Sequence, residues 1–134
     1  MLRLAAARAS PLLRPASSVL ARRTMCTEGV QVDMVCRVWS GKVKDDGTAH
    51  LLDCAFEDWL DDVAQVEGCA GASRLLCKTE WDYKLILKFE DAQSLQNYMK
   101  NDHERISADH MPTLTTYLVD GKFHEQNFVY DDIE

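Results

Sequence analysis

The stretch Tyr83 to Ile106, YKLILKFEDAQSLQNYMKNDHERI, constrains this chain more than any other. Tyr83, Leu85, Leu87 and Phe89 alternate with Lys84, Ile86 and Lys88, the period of a strand with one buried face. Asp91 stands where a helix cap belongs, and Ala92, Leu95, Met99 and Ile106 follow at helical spacing. A buried strand that runs straight into an amphipathic helix points to a layered α+β domain.

The flanking segments complete the order. Val30, Val32, Met34, Cys36 and Val38 alternate with more polar neighbours, which predicts a strand over Val30–Trp39. Asp45-Asp46-Gly47 marks a turn, and Thr48 is placed to cap a helix over about Ala49–Val66. Its buried stripe is Leu52, Phe56, Trp59, Leu60 and Val63. Gly68 and Gly71 end it. A strand is expected at about Ala72–Thr79, a hairpin tip at Glu80-Trp81-Asp82, and the return strand at Tyr83–Glu90. Pro112 breaks the region after the second helix, and a last strand is expected within His124–Asp131. The sequence therefore reads β-α-β-β-α-β, the ferredoxin-like α+β arrangement with the first and third strands central.

That arrangement leaves one sheet face without helices. The apolar count puts Asp33, Val35, Arg37 and Trp39 of the first strand there, beside Asp82, Lys84, Ile86 and Lys88 of the third. Val35, Trp39 and Ile86 are costly to leave in water, so a homodimer with two sheets face to face is expected. Asp33 and Arg37 would pair with Lys84 and Lys88 across the strands.

Charge narrows the partners. The first 27 residues hold Arg3, Arg8, Arg14, Arg22 and Arg23 and no acid, with many Ala, Leu and Ser. This is the composition of a cleaved organelle-targeting segment over 1–27, with a single domain over 28–134. A mitochondrial matrix address is expected, with plastid stroma as the alternative. Beyond residue 24 the chain keeps ten of its 15 basic residues against all 22 acids, a net −12. Nucleic acid and anionic membrane surfaces are poor partners for such a domain. No run reaches the roughly 18 apolar residues of a membrane span. From Thr48 to Ser73 there are six acids and no Lys or Arg, a solvated helix face or a dock for a basic protein partner. Five cysteines without CxxC spacing suggest neither zinc nor a disulfide framework. His50, His103, His110 and His124 lack metal-ligand spacing, so no metal is expected.

Three places carry a resemblance. Val66-Glu67-Gly68-Cys69-Ala70-Gly71 is similar to a Pro-Gly-Phe-x-Gly turn, with Glu67 and Cys69 replacing Pro and Phe. Leu85–Asp91 resembles the strand leading into the second helix of the same family. Ser94–His103 resembles that helix, which closes on a polar-x-His signature, here Asn101-Asp102-His103. Taken in order over Val30 to Ile133, they resemble the antibiotic biosynthesis monooxygenase-type domains of the dimeric α+β barrel superfamily. The resemblance implies cofactor-independent oxygenation, haem degradation or isomerisation of a small molecule, with the site between helices and sheet. The haem-degrading set is not matched. No Asn lies between Val30 and Ser40, the helical Trp position holds Tyr98, and the His position falls near Ala108, two residues from His110.

Candidate chemistry follows. His103 has the right group for a general acid/base near neutrality; as a plain structural residue it would cap a helix C-terminus. Tyr98 flanks the buried stripe and could turn its hydroxyl into a pocket. Trp39 could position a substrate ring or be dimer core. Two functions stand beside each other: a monooxygenase-like or isomerase-like enzyme acting on a small apolar molecule, with His103 and Tyr98 catalytic and Trp39 binding; or a non-catalytic accessory subunit of an organellar complex.

Overall fold

The computed structural model describes Gly29, Val30 and residues 32–133; the expected targeting segment lies outside them. The elements are β1 (Met34–Lys42), α1 (Asp46–Val63), β2 (Cys69–Leu76), β3 (Asp82–Phe89), α2 (Ala92–Asn101), α3 (His103–Leu114), a 3-10 turn (Thr115–Tyr117) and β4 (His124–Tyr130). The strands form one antiparallel sheet in the order β2-β3-β1-β4, so β1 and β3 are central as expected. This is the ferredoxin-like α+β arrangement, and the helices share one side of the sheet.

Helix α1 starts three residues earlier than Thr48 predicts. The Asp45 carboxylate accepts from the Thr48 backbone N–H at 2.8 Å, so Asp45 is the cap and Thr48 lies in the first turn. Ala49, Leu52, Phe56, Trp59 and Val63 are its buried stripe, with Leu60 half-buried beside it. At the end of α1 the chain turns through Gly68, whose φ of 88° is left-handed. A Cβ there would also fall on the Ser94 side chain, so two constraints require glycine.

The expected phase of β1 is wrong. The register sets Val35, Arg37, Trp39 and Gly41 opposite Phe89, Leu87, Leu85 and Tyr83, the helix-facing row of β3. Val35 and Trp39 are therefore protomer core under the helices, not dimer core. Cys36, Val38 and Ser40 take the outer face, opposite Lys88, Ile86 and Lys84. Arg37 thus cannot pair with Lys84 or Lys88, and Asp33 precedes the strand. Both rows of β1 contain apolar residues, so a count of them cannot assign the faces. Burying the largest ring, Trp39 at 0% exposure, decides the matter.

The second helix is also not one helix. Asp102 has φ −120° and ψ −27°, closing α2 and opening α3. His103 is consequently the first residue of a helix, not the last. The dipole at a helix N-terminus disfavours a cation, so the C-terminal capping role does not apply. Asn101 and Asp102 are weak helix formers, and the break lets both Tyr98 and Ile106 reach full burial. Pro112 is accommodated inside α3, which continues to Leu114.

Tyr83 ties the layers together. Its hydroxyl donates to Asp53 on α1, and Arg74 on β2 holds the same carboxylate at 3.1 Å. Burial, then the bond to Asp53 and its charge, pushes the Tyr83 phenol well above its ordinary range. Burial likewise pushes up Tyr98. A phenol whose folded value exceeds the unfolded one, about 10, contributes stability below that pH and loses it as pH rises through the folded value. The unfolding free energy is expected to fall above about pH 10, and to fall less steeply in Tyr83→Phe; denaturant titrations at stepped pH check this. Equal slopes would refute it.

Candidate functional site

The break at Asp102 sets His103 against β4. Its Nε2 lies 3.2 Å from Glu125 Oε1, with the Ser107 hydroxyl 3.5 Å away one turn along α3. The same Glu125 oxygen accepts from Arg37 Nη2 at 2.6 Å, and Arg37 Nη1 donates to Asn127 Oδ1 at 2.7 Å. Arg37, Glu125 and Asn127 share the helix-facing side of two neighbouring strands, because Arg37 pairs directly with Asn127 in the sheet. The guanidinium lies over the Trp39 ring, 5.6 Å from its centre. The Tyr98 ring meets the His103 ring edge-on at 5.7 Å.

The three residues expected to carry chemistry, His103, Tyr98 and Trp39, therefore belong to one connected group. Arg37, Glu125 and Asn127 join them and were not foreseen. One signal was available: an arginine in the apolar row of β1 must find a carboxylate once that row is turned inward. Exposure grades across the group. The side chains of Arg37, His103 and Glu125 are 11%, 20% and 27% exposed, while Tyr98 and Trp39 are 0%. The charged members form the solvent side and the rings the floor.

The bonding assigns the imidazole. Glu125 can only accept, so His103 donates from Nε2, and in the neutral ring Nδ1 is left as the basic nitrogen. Glu125 is the orienting carboxylate, and Arg37 fixes Glu125 in turn. Burial holds the Tyr98 phenol protonated, with Arg37 opposing that effect and Glu125 adding to it. The arrangement can hold a proton acceptor still beside a buried hydroxyl. Trp39 cannot touch a bound molecule unless the core around it opens.

The other histidines lie apart from this group: His110 bonds Asp62 on α1, His50 sits near Cys54 on α1, and His124 is exposed on β4. Among the described residues no three His, Cys, Asp or Glu side chains could hold a metal ion together. A surface groove of about 490 Å³, lined by Lys44, Leu51, Tyr117 and Val119 among others, shares no residue with the site.

Comparison with solved structures decides the fold. A monooxygenase from ActVA-Orf6 of Streptomyces coelicolor, in complex with nanaomycin D, superposes with a TM-score of 0.60 at 17% identity, over 77% of this chain and 91% of that one. The chain has the antibiotic biosynthesis monooxygenase fold. SnoaB of Streptomyces nogalater, a cofactor-independent oxygenase seen in a mutant form, shares it with a TM-score of 0.57 at 14% identity, covering 75% and 95%. A candidate antibiotic biosynthesis monooxygenase from Caulobacter crescentus CB15 does so at 0.53 and 19%, covering 75% and 92%. No protein-family profile matches the sequence, and no curated protein matches it. Among the described residues no helix is long and apolar enough to cross a membrane.

Proposed function

We propose that this chain is a cofactor-independent monooxygenase-like enzyme acting on a small, largely apolar molecule with an acidic C–H bond. One observation carries the reading: His103 is fixed by Glu125 and Arg37 beside a buried Tyr98 hydroxyl, at the solvent edge of the helix–sheet layer. The oxygenase activities of the structural neighbours agree with it. His103 Nδ1 would take the proton, and the substrate carbanion would reduce dioxygen. For an activated methylene, one substrate molecule and one dioxygen give one ketone and one water. The carbanion adds to dioxygen, the proton returns from His103 to give the hydroperoxide, and loss of water leaves the carbonyl. The domain would contribute orientation, exclusion of water and the proton acceptor.

Oxygen uptake over a panel of aromatic activated-methylene compounds tests this. His103→Ala is expected to lose at least about 100-fold in rate with the fold intact. Turnover unchanged by that substitution, or none across the panel, would overturn it.

The accessory-subunit reading has a narrower basis than the sequence suggested. Asp53 is engaged by Arg74 and Tyr83, and Asp62 by His110, which leaves Glu57, Asp58 and Asp61 as the exposed acids at the centre of the face. A homodimer is proposed through the outer sheet face, now with Cys36, Val38, Ile86, Leu75 and Phe128 at its centre. Leu75 and Phe128 are 54% and 44% exposed in the single protomer, an apolar surface that a second sheet would cover. Sedimentation at micromolar concentration should give a dimer, and Val38→Asp a monomer; a monomeric parent chain contradicts the proposal. Residues 1–27 would direct it to the mitochondrial matrix.

A further inference from the structure

The groove of about 490 Å³ lies between the start of α1 and the segment that follows the 3-10 turn. Lys44 and Leu51 stand on one wall, Tyr117 and Val119 on the other, with Leu118 between them. Leu51 and Val119 are 52% and 62% exposed. They come from distant parts of the chain, so the fold has assembled one apolar patch around a hollow. Its floor is firm. Leu118 is 6% exposed and fills the space beside Gly41 of β1, where an added Cβ would come within 2.8 Å of it. The wall is straight. Leu118 has extended backbone, and the Val119 N–H bonds the Lys42 carbonyl at 2.8 Å, which runs this segment along the start of α1. The charge comes from Lys44, the one ionic side chain of the lining. Among the described residues no carboxylate lies within ion-pair distance of it. The two acids that follow it are engaged: Asp45 caps α1 through the Thr48 N–H, and Asp46 pairs with Lys78 at 3.0 Å. An unmatched ammonium beside an apolar trough is the complement of an anion with an apolar tail.

We propose that this groove is a second binding site, which takes a free, unbranched aliphatic carboxylate of medium chain length. The carboxylate pairs with the Lys44 ammonium, and the chain lies over Leu118 between Leu51 and Val119. From Lys44 to Leu51 is about two helical turns, roughly 10 Å, the reach of about eight carbons. A straight trough bounded by a helix and an extended segment accommodates such a chain along its length. Burial of the chain against exposed apolar side chains supplies the affinity, and Lys44 selects the charged end. Neither part suffices alone, so an alcohol of the same length and a carboxylate without a chain both bind more weakly. The groove shares no residue with the His103 group, so the inference stands independently of the catalytic reading.

The probe is octanoate at neutral pH, with octanol and acetate as controls. On the full chain with isotope-labelled leucine and valine methyl groups, octanoate is expected to shift Leu51, Leu118 and Val119. Val38 and Leu75, on the outer sheet face, should stay in place. Octanol is expected to bind about fivefold more weakly, the factor that an exposed ion pair supplies. Acetate should not bind measurably. Lys44→Met keeps the apolar stem and removes the charge; it is expected to weaken octanoate about fivefold and leave octanol unchanged. Leu51→Ser, a change at a half-exposed position that leaves the core intact, is expected to weaken both. The proposal is overturned if octanoate does not bind at millimolar concentration, if octanol or acetate binds as tightly, or if Lys44→Met binds octanoate as the parent does. Shifts confined to Val38 and Leu75 would also overturn it, since the chain would then lie on the outer sheet face.

Discussion

Glu125→Ala is expected to lower the unfolding free energy by about 3 kcal/mol, at the lower end of the cost of breaking a buried ion pair from one side. The reason is what remains. Arg37, with a side chain 11% exposed, keeps its bond to Asn127 but loses the carboxylate that balances its charge, and its Nε has no partner among the described residues. The pair opens to solvent on the Glu125 side, which limits the loss. Arg37→Met is expected to cost less, since Glu125 can turn toward water and keep His103. The double variant Arg37→Met, Glu125→Leu should recover most of the stability, because two apolar side chains of similar volume leave no buried charge. Urea titrations of the four proteins give the coupling, expected to exceed about 1 kcal/mol; additivity within about 0.5 kcal/mol would show that the two side chains act independently. The same substitution frees His103. Glu125→Gln retains an acceptor oxygen for the Nε2–H, so it should hold activity better than alanine does. If the two variants lose activity equally, orientation of the ring is not what Glu125 supplies.

The contrast between His103 and Glu125 shows where reading the chain alone stopped. His103 stands out in sequence because an imidazole is a common general acid/base and because it ends a recognisable segment. Glu125 carries no such mark. It meets His103 only because β4 lies beside β1, a neighbour relation that the order of elements implies but local patterning does not align residue by residue. Arg37 is the instructive case. Period two in β1 is plain in the sequence, yet a period has two phases, and Cys36 and Val38 weighed against Val35 and Trp39 gave the wrong one. The register with β3 and the burial of Trp39 separate them, and reversing the phase moves Arg37 from a dimer face into the site. By contrast α1 was legible down to its stripe, because a long run at helical spacing has one apolar side and five acids on the other. The break at Asp102 was not, since Ala92, Leu95, Met99 and Ile106 keep helical spacing across it. A small change of direction leaves the spacing intact and moves a histidine from a helix end to a helix start.

Phe56→Ala is expected to be the most destabilising single change outside the site, about 3–5 kcal/mol. Phe56 is 1% exposed and joins three aromatic neighbours: it stacks on Tyr83 at 5.9 Å, meets Trp59 edge-on at 5.3 Å, and lies 5.8 Å from Phe123 in the approach to β4. Those contacts link α1 to β3 and to the segment before β4, so the ring bridges the helix layer and the sheet. Truncation removes its apolar burial and leaves a cavity between two rigid layers that cannot close on it. A domain of this size is stable by about 5–15 kcal/mol, so the variant would be marginal, and Phe56→Leu should lose much less. The consequence reaches the site. Trp59 leans on Phe56 and Trp39 leans on Trp59, with Arg37 over Trp39. Loosening Phe56 should therefore let the two buried indole N–H groups exchange with solvent faster, before global unfolding does so. Hydrogen exchange on Phe56→Ala checks this. Protection lost only through global unfolding would mean that the aromatic stack and the site do not share a support.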